Sequence, residues 1–463
     1  MTSADQRKFS VRETPRPRFA RSDLAAAAAA AALVVAAFVV PHLGFGTVTP
    51  LIRSNAQKIR DFAQAAPIFG WWEPHIGWGT PFALFIGVAA VAWSSSLALR
   101  LPWHWLPLAT WASATAWAFS LAMVDGWHRG FTDRLVSRDE YLSEVPGVTD
   151  IPAMLRGFAG RILDYQPDSW NTHVSGHPPG ALLTFVLLDR IGLGGGAWAA
   201  AACVLVGASG AAAVVVTIRA LGDESKARMA APFVAIAPAA IWIAVSGDGL
   251  FAGVTAWGVA LLALAATGSV RWPITASVMA GVLLGFGVYL SYGLALMAIP
   301  AVAVLVVANR YRPLVGAIVG ALAVAAAFTV MGFWWFEGYT LVQQRYWQGI
   351  AADRPFAYWA WANLASLLCA TGLAVAAALP RVFAWRELRT RQPVNVLVAA
   401  AVLAVLIADL SALSKAETER IWLPFALWLL AAPALLPPAS HRYWLAAQVA
   451  GALAVNHLLF TNW

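Results

Sequence analysis

Uninterrupted apolar blocks recur along this chain from about residue 24 to residue 460, separated by short polar segments. They are too continuous to be the one-sided stripes of soluble helices. About 20 apolar residues in helical form are needed to cross the hydrocarbon core of a bilayer. The pattern therefore predicts an all-helical, polytopic membrane protein. Charged residues make up only 12% of the 463 positions, against about 25% in ordinary globular proteins. Spans are expected at 24–43, 80–98, 103–124, 195–218, 228–245, 249–267, 272–289, 291–308, 313–332, 358–379, 393–411, 419–436 and 443–459, thirteen in all. Residues 1–23 read as a cytoplasmic basic tail and 24–463 as a single membrane domain.

The net charge of +8 does not point to nucleic acid, because the cations follow the loops. With the amino terminus placed in the cytoplasm, the inner segments hold 18 of the 31 cations and six of the 23 acids. The positive-inside rule is satisfied, most clearly by the tail and the 381–391 loop. The first apolar block is long, Ala-rich and followed by Pro41-His42, so it reads as a retained anchor helix in the cytoplasmic membrane rather than a cleaved leader. Cys203 and Cys369 fall inside separate predicted spans and suggest neither a disulfide framework nor a thiolate metal site.

Four outer segments carry enough polar residues for chemistry: about 44–79, 125–194, 333–357 and 412–418. The longest, 125–194, exceeds what a structureless connector in a compact protein usually spans. Residues 151–163 have apolar positions at helical spacing with Arg between them, which suits a helix lying on the bilayer surface. His177-Pro178-Pro179-Gly180 then opens an apolar run too short to cross. Proline is well suited to a first helical turn, so 178–190 is expected to be a re-entrant or surface helix.

Asp139-Glu140 lies upstream of this proline motif in the same loop. An acidic pair in a long outer loop followed by His-Pro-Pro at a juxtamembrane helix resembles the membrane-embedded GT-C glycosyltransferases, particularly the protein O-mannosyltransferase and aminoarabinose transferase branch. Val245-Ser246-Gly247-Asp248-Gly249, the Gly-rich stretch Gly281 to Gly293, and Glu417-Thr418-Glu419-Arg420-Ile421-Trp422-Leu423-Pro424 also look like segments of that family. The chain departs from it in placing the acidic loop after the third apolar block, in reading His-Pro-Pro-Gly, and in carrying Tyr289 and Tyr292 where some relatives have Lys.

The resemblance implies a glycosyltransferase working on the outer face, with a polyprenyl-phosphate-linked sugar as donor and a cell-envelope glycan or glycolipid as acceptor. The Ala-rich composition suits a high-GC bacterium such as an actinomycete, in which mannose or arabinose on decaprenyl phosphate is the implied donor. Transfer from such a carrier needs a base for the acceptor hydroxyl, for which Asp139 and Glu140 are equal candidates, and cations for the departing phosphate. Arg suits phosphate because its planar fork binds two oxygens at once. Arg420 is the first choice for that role, with Arg345 and Arg354 in reserve. Without a covalent sugar intermediate, one carboxylate base implies inversion at the anomeric carbon.

The same residues admit plainer roles. Asp139 and Glu140 also read as solvated loop acids, Asp248 as a cap for a helix beginning at Gly249, and Glu417 with Glu419 and Arg420 as a surface ion-pair cluster. His177 either touches substrate or orients its loop. His173 and His177 have the four-residue spacing of helical zinc ligands, but Gly176 and Pro178 would break that helix. No cofactor is required, although a divalent cation is compatible with the chemistry. The competing function is a transporter or flippase of a lipid-linked envelope precursor. Against it, no acid falls near the centre of a predicted span, where ion pathways place them.

Overall fold

The computed structural model describes residues 19–43 and 65–461. Arg7, Lys8, Arg12, Arg16 and Arg18 of the basic tail, and residues 44–64 of the first outer segment, lie outside the described residues. The architecture is helical apart from one antiparallel ribbon, Gly70–Trp72 against Leu459–Thr461. Among the described residues, seven helices are long and apolar enough to cross a membrane: Arg21–Leu43, Thr80–Arg100, Gly196–Ala220, Gly247–Thr267, Pro273–Leu290, Arg312–Val330 and Pro393–Leu410. Two bent helix pairs raise the count to nine if each is one span.

The six further spans expected from the sequence take other forms, for local reasons. Leu106–Ala122 is a helix of 17 residues, and Tyr292–Ala308 is a similarly short apolar segment whose first part winds more tightly. The 228–245 block forms Glu224–Ala235 and then only Ala240–Ile243. Pro238 interrupts it, since proline lacks a backbone donor and restricts the residue before it. The carbonyls freed there are not left bare. Gln448 Nε2 donates to Phe233 and Ile236, and Trp117 Nε1 donates to Ala237, as an apolar surrounding demands. The 358–379 block bends by 107° between Phe356–Thr371 and Leu373–Val382, at Gly372 with φ +83°. The last two blocks form one pair, Leu423–Leu435 and Pro438–Leu458, bent by 109°.

Small residues let backbones approach. Between Pro273–Leu290 and Arg312–Val330, a Cβ on Gly281 would collide with the carbonyl of Ala317, and one on Gly320 with that of Val278. The polar loops collect by contact. Asp23 pairs with Arg381 at 2.8 Å, Arg228 donates to the carbonyls of Ala98 and Leu101, Lys226 to that of Ala434, and Arg391 to Asn309. The 125–194 loop packs instead against the opposite helix termini. There Asp125 pairs with His75, Arg129 and Arg134, and Arg129 also donates to the carbonyl of Thr461 in the ribbon.

Candidate active site

Three polar segments close over the first turn of Gly247–Thr267. Asn171 caps the one-turn helix Thr172–Gly176, its side-chain oxygen accepting from Val174 N at 2.9 Å while its Nδ2 donates to the Glu140 carbonyl at 2.7 Å. The acidic pair is thereby tied to the turn that carries His173. His173 donates through its backbone N and Nδ1 to the Asp139 carbonyl at 3.1 and 2.7 Å. With Nδ1 so engaged, Nε2 faces an Arg420 terminal nitrogen at 3.4 Å. His177 donates Nδ1 to the His173 carbonyl at 2.7 Å and packs against the rings of Tyr141 and Phe251.

The helix beginning at Gly247 is capped by Ser246, whose Oγ accepts from Gly249 N at 3.2 Å. That leaves Asp248 free of a capping role in its first turn. It points instead to Arg420, pairing at 2.5 Å with both side chains buried. Arg420 comes from the short helix Thr418–Ile421. Glu417 just before it has a left-handed backbone, φ +63°, and bridges two cations, with Oε2 at 2.9 Å from Arg420 and Oε1 at 3.3 Å from Arg354. Arg354 also donates to the carbonyl of Lys415, and Lys415 Nζ returns a bond to the carbonyl of Arg354 at 2.9 Å.

The two expected bases separate here. Asp139 is exposed, its carboxylate accepting from the Thr172 hydroxyl at 3.4 Å. Glu140 is 2% exposed, with Oε1 at 3.6 Å from His173 Nδ1 and Oε2 without a hydrogen-bond partner among the described residues. Burial pushes its carboxyl up to about 8, with Arg420 pulling the other way and Asp248 adding to the rise. Burial, reinforced by Arg420, drives His173 down to about 3, so this imidazole is neutral. Glu417 goes the opposite way from Glu140: burial raises it, but the charges of Arg354 and Arg420, with the Arg420 hydrogen bond, outweigh burial and hold it below the usual carboxylate range. For Arg420 the cost of burial is overcome by Asp248, Glu417 and Glu140, so its charge is fixed.

Of the residues singled out from the sequence, Glu140, Asp248, Glu417, Arg420 and Arg354 therefore form one buried cluster, with His177 behind it. Arg345 is separate: its guanidinium pairs with Asp164 at 2.6 Å and donates to Ser175 Oγ at 3.2 Å, bracing the His173 turn from outside. His173, Tyr141 and Lys415 belong to the cluster or its wall and were not predicted as site residues. The four-residue histidine spacing pointed at His173, but only as half of a metal pair. Glu419 faces away, accepting from Phe69 N at 3.1 Å, and burial raises its carboxyl to about 7.

A divalent cation was compatible with the sequence, but the residues do not fit one. Asp248 and Glu417 converge on a guanidinium, and among the described residues no three His, Cys, Asp or Glu side chains are placed to hold a metal ion. Unit charges 4 Å apart repel by about 4 kcal/mol at an effective dielectric constant of 20, and a divalent ion beside Arg420 would double this.

No protein-family model and no curated protein sequence matches the chain. Solved structures do. The oligosaccharyltransferase of Archaeoglobus fulgidus, crystallised with zinc and sulfate, superimposes with a TM-score of 0.50 at 15% identity, over 76% of this chain and 53% of the other. ArnT from Cupriavidus metallidurans in the apo state gives 0.42 at 17% identity, over 69% and 58%. The archaeal oligosaccharyltransferase AglB, also from A. fulgidus, in complex with an inhibitory peptide and a dolichol-phosphate, gives 0.42 at 13%, over 72% and 50%. The chain thus spans about half the length of the first of these relatives. The first likeness shows a shared fold: this is a multi-pass, all-helical membrane protein of GT-C-like architecture, with seven to nine candidate spans.

Proposed function

We propose that the chain transfers a sugar from a polyprenyl-phosphate carrier to a hydroxyl of a cell-envelope glycan or glycolipid, with inversion, at the outer face of the cytoplasmic membrane. The observation that carries this reading is the buried Glu140 carboxyl set within reach of the Arg420–Glu417–Arg354 array. A base and a pair of cations in one water-poor site are what this reaction asks of a protein. The acceptor hydroxyl gives its proton to the Glu140 carboxylate as its oxygen bonds to the anomeric carbon. The bond from that carbon to the phosphate oxygen breaks, and its electron pair leaves with the phosphate. The donor is a phosphodiester with one negative charge, and the released polyprenyl phosphate gains another. Arg354 and Arg420 meet that added charge. Asp248 and Glu417 hold the Arg420 fork in place, and neutral His173 positions it from the other side.

Supplying membranes that contain the protein with different radiolabelled polyprenyl-phosphate sugars, mannose and arabinose among them, tests the reading. Label moving to a glycan with inverted anomeric configuration supports it. Flux of intact carrier without product supports a transporter.

A further inference from the structure

We propose that Arg420, held between the carboxylates of Asp248 and Glu417, is the resident cation of this site, so that sugar transfer here runs without a divalent metal. The inference rests on the glycosyl-transfer reading. Two carboxylates from distant segments meet on one guanidinium: Asp248 from the start of a helix and Glu417 from the turn before another. Convergence of that kind, buried and close to a reacting phosphate, is how divalent sites are commonly built. Here the centre is filled by a side chain. The two terminal nitrogens of Arg420 take Asp248 at 2.5 Å and Glu417 at 2.9 Å, and the guanidinium is 5% exposed.

A guanidinium stays protonated at any workable pH, so the cation at the centre is permanent and no ion has to be recruited to balance Asp248 and Glu417. A second guanidinium, Arg354, reaches the free oxygen of Glu417 at 3.3 Å. An incoming divalent ion would have to displace one arginine and sit beside the other. A guanidinium also donates along fixed directions in one plane, which a spherical ion does not. Its placement on a helix of four residues whose first carboxylate neighbour is only three positions away, Glu417, keeps the pair in register with little freedom.

Two measurements test this. In membranes stripped with EDTA, transfer from a polyprenyl-phosphate sugar is expected to stay within about twofold of the untreated rate, with no gain on adding Mg2+ or Mn2+. Loss of transfer on chelation, restored by Mn2+, overturns the proposal. In the second, Mn2+ binding to purified protein is followed by electron paramagnetic resonance. The wild type is expected to leave submillimolar Mn2+ free, whereas Arg420→Ala, which removes the guanidinium between Asp248 and Glu417, is expected to bind one ion. A wild type that binds Mn2+ and loses it with Asp248→Asn, or a folded Arg420→Ala that binds none, contradicts it. Should Arg420→Ala not fold, the wild-type measurements decide alone. If untreated membranes transfer no sugar from any carrier, the glycosyl-transfer reading fails, while the Mn2+ measurement still reports on the role of Arg420.

Discussion

Asp248 and Arg420 lie 172 residues apart in the chain and meet at 2.5 Å with both side chains buried. The pair joins the first turn of the Gly247–Thr267 helix to the loop that precedes the last bent helix pair. Breaking a buried ion pair from one side leaves the other charge uncompensated, at a cost of about 3–5 kcal/mol. Asp248→Ala is expected to lower thermal stability in detergent by that order. The double variant Asp248→Ala/Arg420→Ala should lose less than the two single losses combined. Strict additivity in this cycle would show that the contact is energetically idle.

The pH dependence of transfer follows from Glu140. A base acts in its deprotonated form, and burial raises this carboxyl to about 8, so at pH 7 only about a tenth of the molecules hold the active form. The transfer rate is expected to climb roughly tenfold per unit up to pH 8 and then level off. A rate flat between pH 6 and 9 would remove Glu140 as the titrating base.

The same shift has a stability consequence. Because the folded-state value lies above the unfolded one, folding favours the protonated carboxyl. That contribution is complete below the unfolded value near 4.5 and is lost as pH rises through about 8. Glu140→Gln removes the ionisation, so it should match the wild type in melting temperature at pH 5 and exceed it at pH 9, by the equivalent of a few kcal/mol. Parallel melting curves across that range would contradict the buried placement of the carboxyl.

Helix contacts away from the site give an independent check on the fold. A side chain at Gly320 would drive into the Val278 carbonyl, and one at Gly281 into that of Ala317. Gly320→Leu is therefore expected to separate the Pro273–Leu290 and Arg312–Val330 helices and to destabilise the protein by more than 2 kcal/mol, the scale of an overpacked core. A substitution to Leu at Val315, which is 68% exposed on the same helix, should change stability by less than 0.5 kcal/mol.

Much of the architecture is written in the chain, and the exceptions have local causes. The seven unbroken spans coincide with predicted apolar blocks because those blocks are long enough to cross and no break interrupts their helices. The expectation of thirteen overshoots where proline or glycine cuts an apolar run, as at Pro238 and Gly372. Hydropathy records that such a run is buried but not that its helix stops. In the site, the residue types of Glu140, Asp248, Glu417 and Arg420 were visible in the sequence, and their meeting was not, since it depends on contacts across 172 positions. Adjacent loop residues usually face different ways, so the sequence leaves Asp139 and Glu140 equivalent; the Asn171 and His173 bonds to their carbonyls decide which carboxyl turns inward. His173 is legible only once the one-turn helix after Asn171 aims its ring at Arg420.

In the proposed transfer Glu140, and not its neighbour Asp139, takes the proton from the acceptor. Label transfer from a polyprenyl-phosphate sugar, measured side by side for the wild type, Glu140→Gln and Asp139→Asn in membranes with equal amounts of folded protein, tests it most directly. Glu140→Gln is expected to lose about 10²–10⁴ of the rate, the usual worth of a general base, while Asp139→Asn keeps the rate within about threefold of the wild type. Full transfer by Glu140→Gln, or loss confined to Asp139→Asn, would contradict the account.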